Sequence, residues 1–262
     1  MLLLLSPAKT LDYETPVPAE VLARSQEPRY AARSAELIRV LKKLSPEDVA
    51  GLMHLSPALA QLNVDRYRKW RRSFGPSNSK PAALAFNGDV YEGLDAKTLK
   101  PSELDWVQEH VVILSGLYGV LRPLDALQPY RLEMGTPLAT ARGKDLYDFW
   151  GTTIAEYLDG RLSGGKSPMI VNLASQEYFK AVDRSALKAP VIECVFEDYK
   201  GGRYKVISFF AKRARGLMAR YAAARRARTP QVLQQFDVDG YAFDEEASQA
   251  QRWVFRRRIV NG

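Results

Sequence analysis

The chain has 262 residues, of which 46% are hydrophobic and 26% are charged, and its formal net charge is +8. This composition is that of a folded globular protein and excludes extended disorder, while the basic balance favours anionic partners such as nucleic acid or acidic metabolites. One cysteine, two histidines and the lack of an apolar run near ~18 residues exclude a disulfide framework, nearly exclude a Cys/His metal site and argue against a membrane span.

The chain begins with an apolar run, residues 1–5, that lacks the basic segment of a signal peptide. The single cysteine, Cys194, cannot form an intramolecular disulfide, so we expect a cytoplasmic protein, and no membrane partner is expected.

Three short apolar runs, at 2–5, 111–114 and 169–173, each end in small polar or basic residues. Such runs predict strands buried on both faces of a largely parallel sheet, whose ligand crevice lies beyond the carboxyl ends of the strands. A fourth run, 206–210, predicts a strand that also ends in basic residues. The sequence therefore predicts one α/β domain over residues 1–262, with a mixed, largely parallel central sheet flanked by helices and a basic cleft at the strand C-terminal ends.

The segments between these runs carry helix and turn signals. Ser45-Pro46 and Ser56-Pro57 each place a hydroxyl N-cap before a proline at the first helical position, which predicts two short helices joined by a tight turn within a mostly helical stretch. The remaining predicted elements are a strand and turn at 81–94, a helix at 102–110, a long loop at 122–146, a helix at 145–161, a hairpin at 190–210 whose second strand covers 204–210, a helix at 212–228 and a closing strand at 251–259.

Basic residues are concentrated between 200 and 228, which hold ten lysines and arginines; the single acid beside them is Asp198. Like charges at this density repel one another unless an anion such as phosphate neutralises them. A solvated helix would more often interleave glutamates four residues before its basic residues, and none occurs here. Anion binding is therefore favoured over a plain solvated face.

A glycine-bearing turn, Gly116-Leu117-Tyr118-Gly119, follows Ser115 and precedes Arg122. If it opens a helix, its N–H groups can bind phosphate, but it is equally consistent with a structural turn. Its spacing matches neither a P-loop nor the dinucleotide fingerprint, so no nucleotide cofactor is predicted.

Other polar residues near the predicted strand ends support a site without defining its chemistry. Lys9 and Lys180 follow the first and third runs, and Arg131 with Glu133 forms either a structural ion pair or a catalytic pair. Neither histidine has an acid at the spacing of a catalytic triad and no Gly-x-Ser-x-Gly motif occurs, so a serine hydrolase is not predicted. The acidic stretch 237–246 fails the pattern of a calcium loop and predicts a solvated turn or an internal counter-charge to the basic helix; no metal site is predicted.

Ordered sequence blocks along nearly the whole chain resemble the bacterial peroxide-stress protein YaaA family. The matching blocks are Leu5–Asp12, Phe86–Tyr91, Leu114–Leu124, Gln128–Gly135, Gly143–Tyr147, Asn172–Ser175, Glu177–Lys180 and Lys212–Met218.

The resemblance implies an unusual α/β fold and a protein that limits hydrogen peroxide damage by lowering unincorporated iron. It also implies binding of double-stranded or irregular DNA through a basic cleft and a helix-hairpin-helix element, for which Gly116–Gly119 is the candidate and the turn at Ser56-Pro57 the competitor. We expect a monomer without cofactors, and the expected DNA-binding residues are Lys9, Ser115, Gly116, Tyr118, Gly119, Arg122, Arg131, Lys144, Lys180, Lys212, Arg213 and Arg215.

Three functions remain open at this point. The first is a DNA-binding stress protein, the second is an enzyme acting on a nucleotide or nucleic acid in the same cleft, and the third is direct iron sequestration by carboxylates of 237–246. A long open basic groove would favour the first, and a small crevice the second.

Overall fold

A mixed, largely parallel sheet forms the centre of the protein. The computed structural model describes residues 1–165 and 168–258. Its strands are β1 Leu2–Leu5, β2 Thr10–Leu11, β3 Lys80–Pro81, β4 Phe86–Asn87, β5 Val111–Ser115, β6 Gly119–Leu121, β7 Ala126–Leu127, β8 Ile170–Asn172, β9 Val191–Lys200, β10 Arg203–Lys205, β11 Ala242–Gln249 and β12 Arg252–Arg257.

Helices cover the faces of this sheet. They are α1 Ala19–Leu22, α2 Ala31–Leu41, α3 Pro46–Met53, α4 Pro57–Lys69, α5 Ala82–Ala85, α6 Asp89–Leu94, α7 Pro101–His110, α8 Leu146–Trp150, α9 Thr153–Leu162, α10 Gln176–Phe179 and α11 Ser208–Ala224. Short 3-10 helices lie at Ala96–Thr98, Pro230–Gln235 and Val238–Gly240. Within the described ranges, no helix is both long and apolar enough to cross a membrane.

The main sheet has the strand order β11-β12-β9-β8-β1-β5-β6, and β10 pairs with β9. The four contacts at its centre, β5–β1, β1–β8, β8–β9 and β9–β12, are parallel, while β6, β10 and β11 pair antiparallel with their neighbours. Every residue of β1, β5 and β8 is buried, because helices lie on both faces. The predicted α/β class and largely parallel sheet are confirmed.

The two proline-capped helices are also confirmed. Ser45 and Asp48 form a capping box at the start of α3, and the Ser56 hydroxyl accepts from the Leu59 N–H at the start of α4. Between them His54 adopts a left-handed conformation with φ 52°, which reverses the chain within a few residues.

The predicted strand at 206–210 is wrong. β10 ends at Lys205, and α11 already begins at Ser208. Val206 and Phe209 are 52% and 53% exposed, so this apolar run is not buried in the sheet. The alanine-rich segment that follows favours a helix, and this helix includes Ser208, Phe209 and Phe210 at the end of the apolar run.

The predicted strand and turn at 81–94 are also mostly helical. The strands β3 and β4 have two residues each, and α5 and α6 occupy the rest of the segment. Alanine has the highest helix propensity, and Gly88 caps α6 instead of turning a hairpin. The closing strand is present as β12, but the predicted Ile259 lies outside the described residues.

Helix α11 is held against α6 by two glycines. A Cβ on Gly216 would lie 1.8 Å from the Val90 carbonyl oxygen, and one on Gly93 would lie 2.2 Å from the Arg213 carbonyl oxygen. Only glycine permits backbones to approach this closely. This contact fixes α11, and with it Lys212 and Arg215, beside the segment that follows β4.

Candidate functional site

A cavity of about 410 Å³ lies beyond the carboxyl ends of β1 and β8, and we call it the strand-end cavity. Its walls come from the segments 6–10, 87–90 and 130–133, the start of α10 and one face of α11. The position agrees with the rule that ligands bind at the carboxyl ends of parallel strands.

Hydrogen bonds between Ser6 and Ser175 connect the segments that follow β1 and β8 in the wall of the strand-end cavity. The Ser175 N–H donates to Ser6 Oγ at 2.9 Å, and the Ser6 hydroxyl lies 3.3 Å from Ser175 Oγ. The Tyr91 hydroxyl of α6 donates to the Ser6 carbonyl oxygen at 3.0 Å. These bonds hold the two loops and α6 in fixed positions, so the cavity wall is preorganised.

An ion cluster centred on Glu133 lies in the same wall. Its Oε1 is 2.9 Å from Lys9 Nζ and 3.1 Å from an Arg131 terminal nitrogen. Arg131 and Glu133 side chains are 17% and 23% exposed, whereas Lys9 is 66% exposed. The ion pair considered from the sequence is therefore present, and it is placed inside a cavity where a ligand can reach it.

The guanidinium of Arg215 reaches the strand-end cavity from α11. Burial lowers its pKa, and Glu193 acts in the opposite direction. Within the described residues, no carboxylate lies within salt-bridge distance of Arg215 or of the exposed Lys212. The buried Nε atoms of both Arg131 and Arg215 lack a hydrogen-bond partner.

Carboxylates balance much of the positive charge. Asp89 and Glu177 join Glu133 in the lining, against the cations Lys9, Arg131, Lys212 and Arg215, which gives four positive minus three negative charges, or +1. Glu177 Oε1 accepts from the Gly135 N–H at 3.0 Å, so one of its oxygens is already occupied. The strand-end cavity is thus a mixed-charge pocket with a small cationic excess, unlike a uniformly basic groove.

Four of the eight basic residues expected to bind DNA line the strand-end cavity. Lys9, Lys212 and Arg215 line the strand-end cavity, together with Arg131. Lys180 lines a neighbouring cavity, with its Nζ 4.6 Å from the centre of the Tyr147 ring.

Arg213 lies outside the strand-end cavity because it points to the opposite side of α11, where it pairs with Asp239 at 2.8 Å. Arg122 pairs with Asp125 in another cavity, and Lys144 is exposed away from the lining residues.

The interpretation of Gly116–Gly119 as a helix start that presents N–H groups to phosphate is wrong. This segment is the tight turn between the antiparallel strands β5 and β6. Gly119 has φ +68°, and a Cβ on Gly116 would lie 2.3 Å from the Leu132 carbonyl oxygen. The glycines are therefore required by the turn and by the packing of the 130–133 segment on it.

Ser115 and Tyr118 beside this turn are buried inside the fold. The Ser115 hydroxyl is 2.6 Å from the Tyr130 hydroxyl, and Trp70 Nε1 donates to the Tyr118 hydroxyl at 3.0 Å. Both Ser115 and Tyr118 are 0% exposed, so their side chains support the cavity wall from behind and do not reach a ligand.

Sequence reasoning missed the contributions of Asn87 and Asp89 to the site. Both line the strand-end cavity, next to Gly88, which approaches Ala8 closely. The block Phe86–Tyr91 is among the blocks that resemble the family, and this is the signal that the sequence offers. Because Asn-Gly is also the strongest hairpin signal, the same residues predict a turn instead of a site.

The acidic stretch 237–246 serves as internal counter-charge. Asp239 pairs with Arg213 and, at 2.7 Å, with Arg257, while Asp244 pairs with Arg256 at 2.9 Å. The part of the chain that the structure describes contains no group of three His, Cys, Asp or Glu side chains placed to hold a metal ion. Two of the five acidic side chains on which direct iron sequestration rested, Asp239 and Asp244, are thus engaged by arginines, while Asp237, Glu245 and Glu246 are exposed.

The one cysteine does not reach solvent. Cys194 lies in β9, is 2% exposed, and burial raises the pKa of its thiol. Peroxide reacts with accessible thiolates, so Cys194 in the folded protein is poorly placed for that reaction.

Comparison with known proteins places this geometry in a family. The family model described as peroxide stress protein YaaA matches residues 1–247. A UPF0246 protein of Bordetella petrii is 64% identical over 258 residues, covering 98% of this chain and 100% of the relative. UPF0246 proteins of Variovorax paradoxus and a Polaromonas species are 60% and 61% identical, covering 99% and 98% of this chain and 100% and 99% of the relatives. The chain therefore belongs to the peroxide stress protein YaaA family.

Proposed function

We propose that this chain protects a bacterial cell against hydrogen peroxide by binding DNA, with the helix pair α3–α4 as its main contact. The observation that carries the proposal is the position of this pair: the Tyr67 hydroxyl of α4 donates to the Arg131 carbonyl oxygen in the wall of the strand-end cavity. Tyr67 is buried, so this bond packs α4 against the 130–133 segment, and a phosphate backbone held by α4 is proposed to run past the cavity. The net charge of +8 supports an anionic partner.

The α3–turn–α4 unit has the construction that a helix-hairpin-helix element needs. Two helices of 8 and 13 residues are joined by a turn of a few residues around His54. At the start of α4, Pro57 has no N–H and the Leu59 N–H is bound by Ser56 Oγ. The Ala58 N–H and the helix dipole are therefore what this end offers to a phosphate. With Gly116–Gly119 between two strands, the competing assignment at Ser56-Pro57 becomes our candidate.

The far end of α4 supplies positive charge. Arg66, Arg68 and Lys69 lie in its last turn, and the last two are exposed. Such side chains contact the DNA backbone without reading its sequence. We therefore propose largely sequence-independent binding of double-stranded or irregular DNA by a monomer in the cytoplasm.

Exchanging Arg68 and Lys69 together for Gln tests the helix pair. Each phosphate contact adds about −0.9 to the slope of log K against log salt, so the double variant should flatten that slope by about two. A fluorescently labelled duplex titrated at several salt concentrations measures the slope. The matched control exchanges Lys97 and Lys100, which are exposed and lie outside α3, α4 and α11, and should leave the slope unchanged. Equal slopes for the two double variants would remove α4 from the interface.

The effect on unincorporated iron is, in this proposal, indirect. The acidic side chains Asp239 and Asp244 are paired with arginines, so they do not form an open site for iron.

A second candidate function is an enzyme that acts on a nucleotide, and the size of the strand-end cavity favours it. About 410 Å³ lies within the ~300–1,000 Å³ range of small-molecule sites and leaves no room for a duplex. Glu133→Gln separates the two functions. It keeps the shape of the side chain but removes the carboxylate that a general base requires. Loss of peroxide protection in cells with unchanged folding and DNA affinity would establish the enzyme, whereas retained protection would favour DNA binding alone.

A further inference from the structure

We propose that the strand-end cavity is a binding site for one nucleotide phosphate, contacted by Arg131 and Arg215, and that Glu133 occupies Arg131 until the phosphate displaces it. The proposal goes beyond DNA backbone binding by α3–α4, because it concerns a single phosphate inside the cavity. The chemical class of the ligand is a phosphate ester of nucleotide size, supplied by a free nucleotide or by a DNA end.

The first argument is the distribution of unpartnered donors. Five buried side-chain polar atoms lack a hydrogen-bond partner in the described part of the chain, and two of them are the Nε atoms of Arg131 and Arg215. Leaving such a donor unsatisfied costs about 1–3 kcal/mol each, more for a charged group. Both arginines line the strand-end cavity, so an anion bound there would lie beside two guanidiniums whose hydrogen-bonding capacity is not fully used.

The second argument is the charge of the acceptor. Arg215 has no carboxylate within salt-bridge distance among the described residues, and burial lowers its pKa. Because Arg215 is only partly exposed, its guanidinium loses hydration, and a bound anion offsets that loss. Guanidinium groups match phosphate oxygens with two parallel hydrogen bonds, which makes phosphate the best fit among common anions.

The third argument concerns Glu133. Its Oε1 accepts from Arg131 at 3.1 Å and lies 2.9 Å from Lys9 Nζ, so it holds the position that an incoming anion would take. Its side chain is 23% exposed and Lys9 is 66% exposed, so the carboxylate can turn toward solvent when phosphate arrives. Glu133 is thus a built-in competitor for phosphate.

The apolar part of the cavity leaves space for more than a bare phosphate. Tyr130, Leu132 and Tyr178 line the cavity beside the charged groups. A volume of about 410 Å³ accommodates a sugar and base in addition to phosphate, which is why we assign a nucleotide.

The test titrates the full chain with a nucleoside 5′-monophosphate and with inorganic phosphate, by calorimetry. Arg215→Gln should weaken binding of the monophosphate at least 10-fold, because a charge-assisted hydrogen-bond pair is lost. Arg213→Gln is the matched control: it lies two residues earlier on α11, pairs with Asp239 outside the cavity, and should change affinity less than 2-fold. Glu133→Gln should strengthen binding about 3- to 10-fold by removing the competing carboxylate.

A second measurement does not depend on a variant folding. In the wild-type protein, NMR signals of the Nε–H groups of Arg131 and Arg215 should shift on addition of the monophosphate, and that of Arg213 should not. Absence of binding at millimolar monophosphate, or equal affinities for the Arg213 and Arg215 variants, would overturn the proposal.

The source of the phosphate is decided by competition. A duplex with a 5′-phosphate that displaces the monophosphate, while the same duplex with a 5′-hydroxyl does not, identifies a DNA end; no displacement by either identifies a free nucleotide. Failure of the DNA-binding proposal is seen separately, as an unchanged salt slope in the Arg68 and Lys69 double variant with monophosphate binding intact.

Discussion

At the scale of single residues, burial decides what each charged group can do. Asp125 shows this most clearly, because it is 2% exposed and its carboxylate accepts from the backbone N–H and the Nε of Arg122 at 2.9 and 3.3 Å. Despite these bonds, burial raises the pKa of Asp125 from 3.8 to about 6. The desolvation of this carboxylate outweighs the gain from its partners.

The raised pKa of Asp125 predicts a pH-dependent stability. Its folded pKa lies above the unfolded value, so its contribution to the free energy of unfolding is fully present at low pH and is lost as the pH rises through about 6. A shift of about 2 pKa units corresponds to about 3 kcal/mol between pH 3.5 and pH 7. Urea unfolding of wild type and Asp125→Asn across this range isolates the effect, since the variant cannot ionise. A difference between the two proteins that does not change with pH would contradict it.

Arg213 and Arg215 have different surroundings in the fold, and the sequence alone does not predict which of them reaches the cavity. The two residues stand two positions apart on α11, so they point to opposite sides of the helix. Arg213 reaches Asp239, and Arg215 reaches the strand-end cavity. Which side faces the cavity depends on how α11 packs on α6, and that contact joins residues about 120 positions apart.

At the scale of elements, the crossing of α6 and α11 depends on glycine. Gly93 and Gly216 face each other's helices, with backbone atoms 2.2 and 1.8 Å from where a Cβ would stand. The crossing positions the basic side chains of α11 over the cavity, so its packing and the site are coupled.

Gly216→Ala should therefore destabilise the protein by about 1–3 kcal/mol, because the added methyl group forces the helices apart. Gly160→Ala is the matched control: Gly160 lies within α9, and no heavy atom lies within 4 Å of the position that its Cβ would take. It should instead stabilise by up to about 1 kcal/mol, since alanine favours the helix. Thermal unfolding compares the two, and equal melting temperatures would rule out the close crossing.

The elements that the sequence predicted well are those whose signals are local. The buried runs that became β1, β5 and β8 and the capped starts of α3 and α4 depend on a few adjacent residues. Residues 206–210 and 81–94 were misassigned because hydrophobic residues there belong to an exposed helix start and to a helix packed on α11. Short apolar segments do not distinguish a strand from a helix by their pattern alone.

At the scale of the whole molecule, the site is assembled from distant parts of the chain. Lys9, Arg131 and Lys212 meet in the strand-end cavity because β1 lies at the centre of the sheet and α11 packs beside it. The rule that ligands bind at the carboxyl ends of parallel strands predicted this location from the sequence. The sequence did not predict which carboxylates lie beside the basic residues, because that depends on the fold. The mixed charge of the cavity is why DNA contact is assigned to α3–α4 and a single phosphate to the cavity.

The measurement that most directly tests DNA binding is the affinity of the wild-type chain for a labelled duplex as a function of salt concentration. If the helix pair and the rim of the cavity neutralise roughly four to eight phosphates, the slope of log K against log salt should be about −3.5 to −7. Affinity should also be nearly the same for duplexes of unrelated sequence. A slope near zero, or no binding at low salt, would contradict DNA binding as the function of this protein.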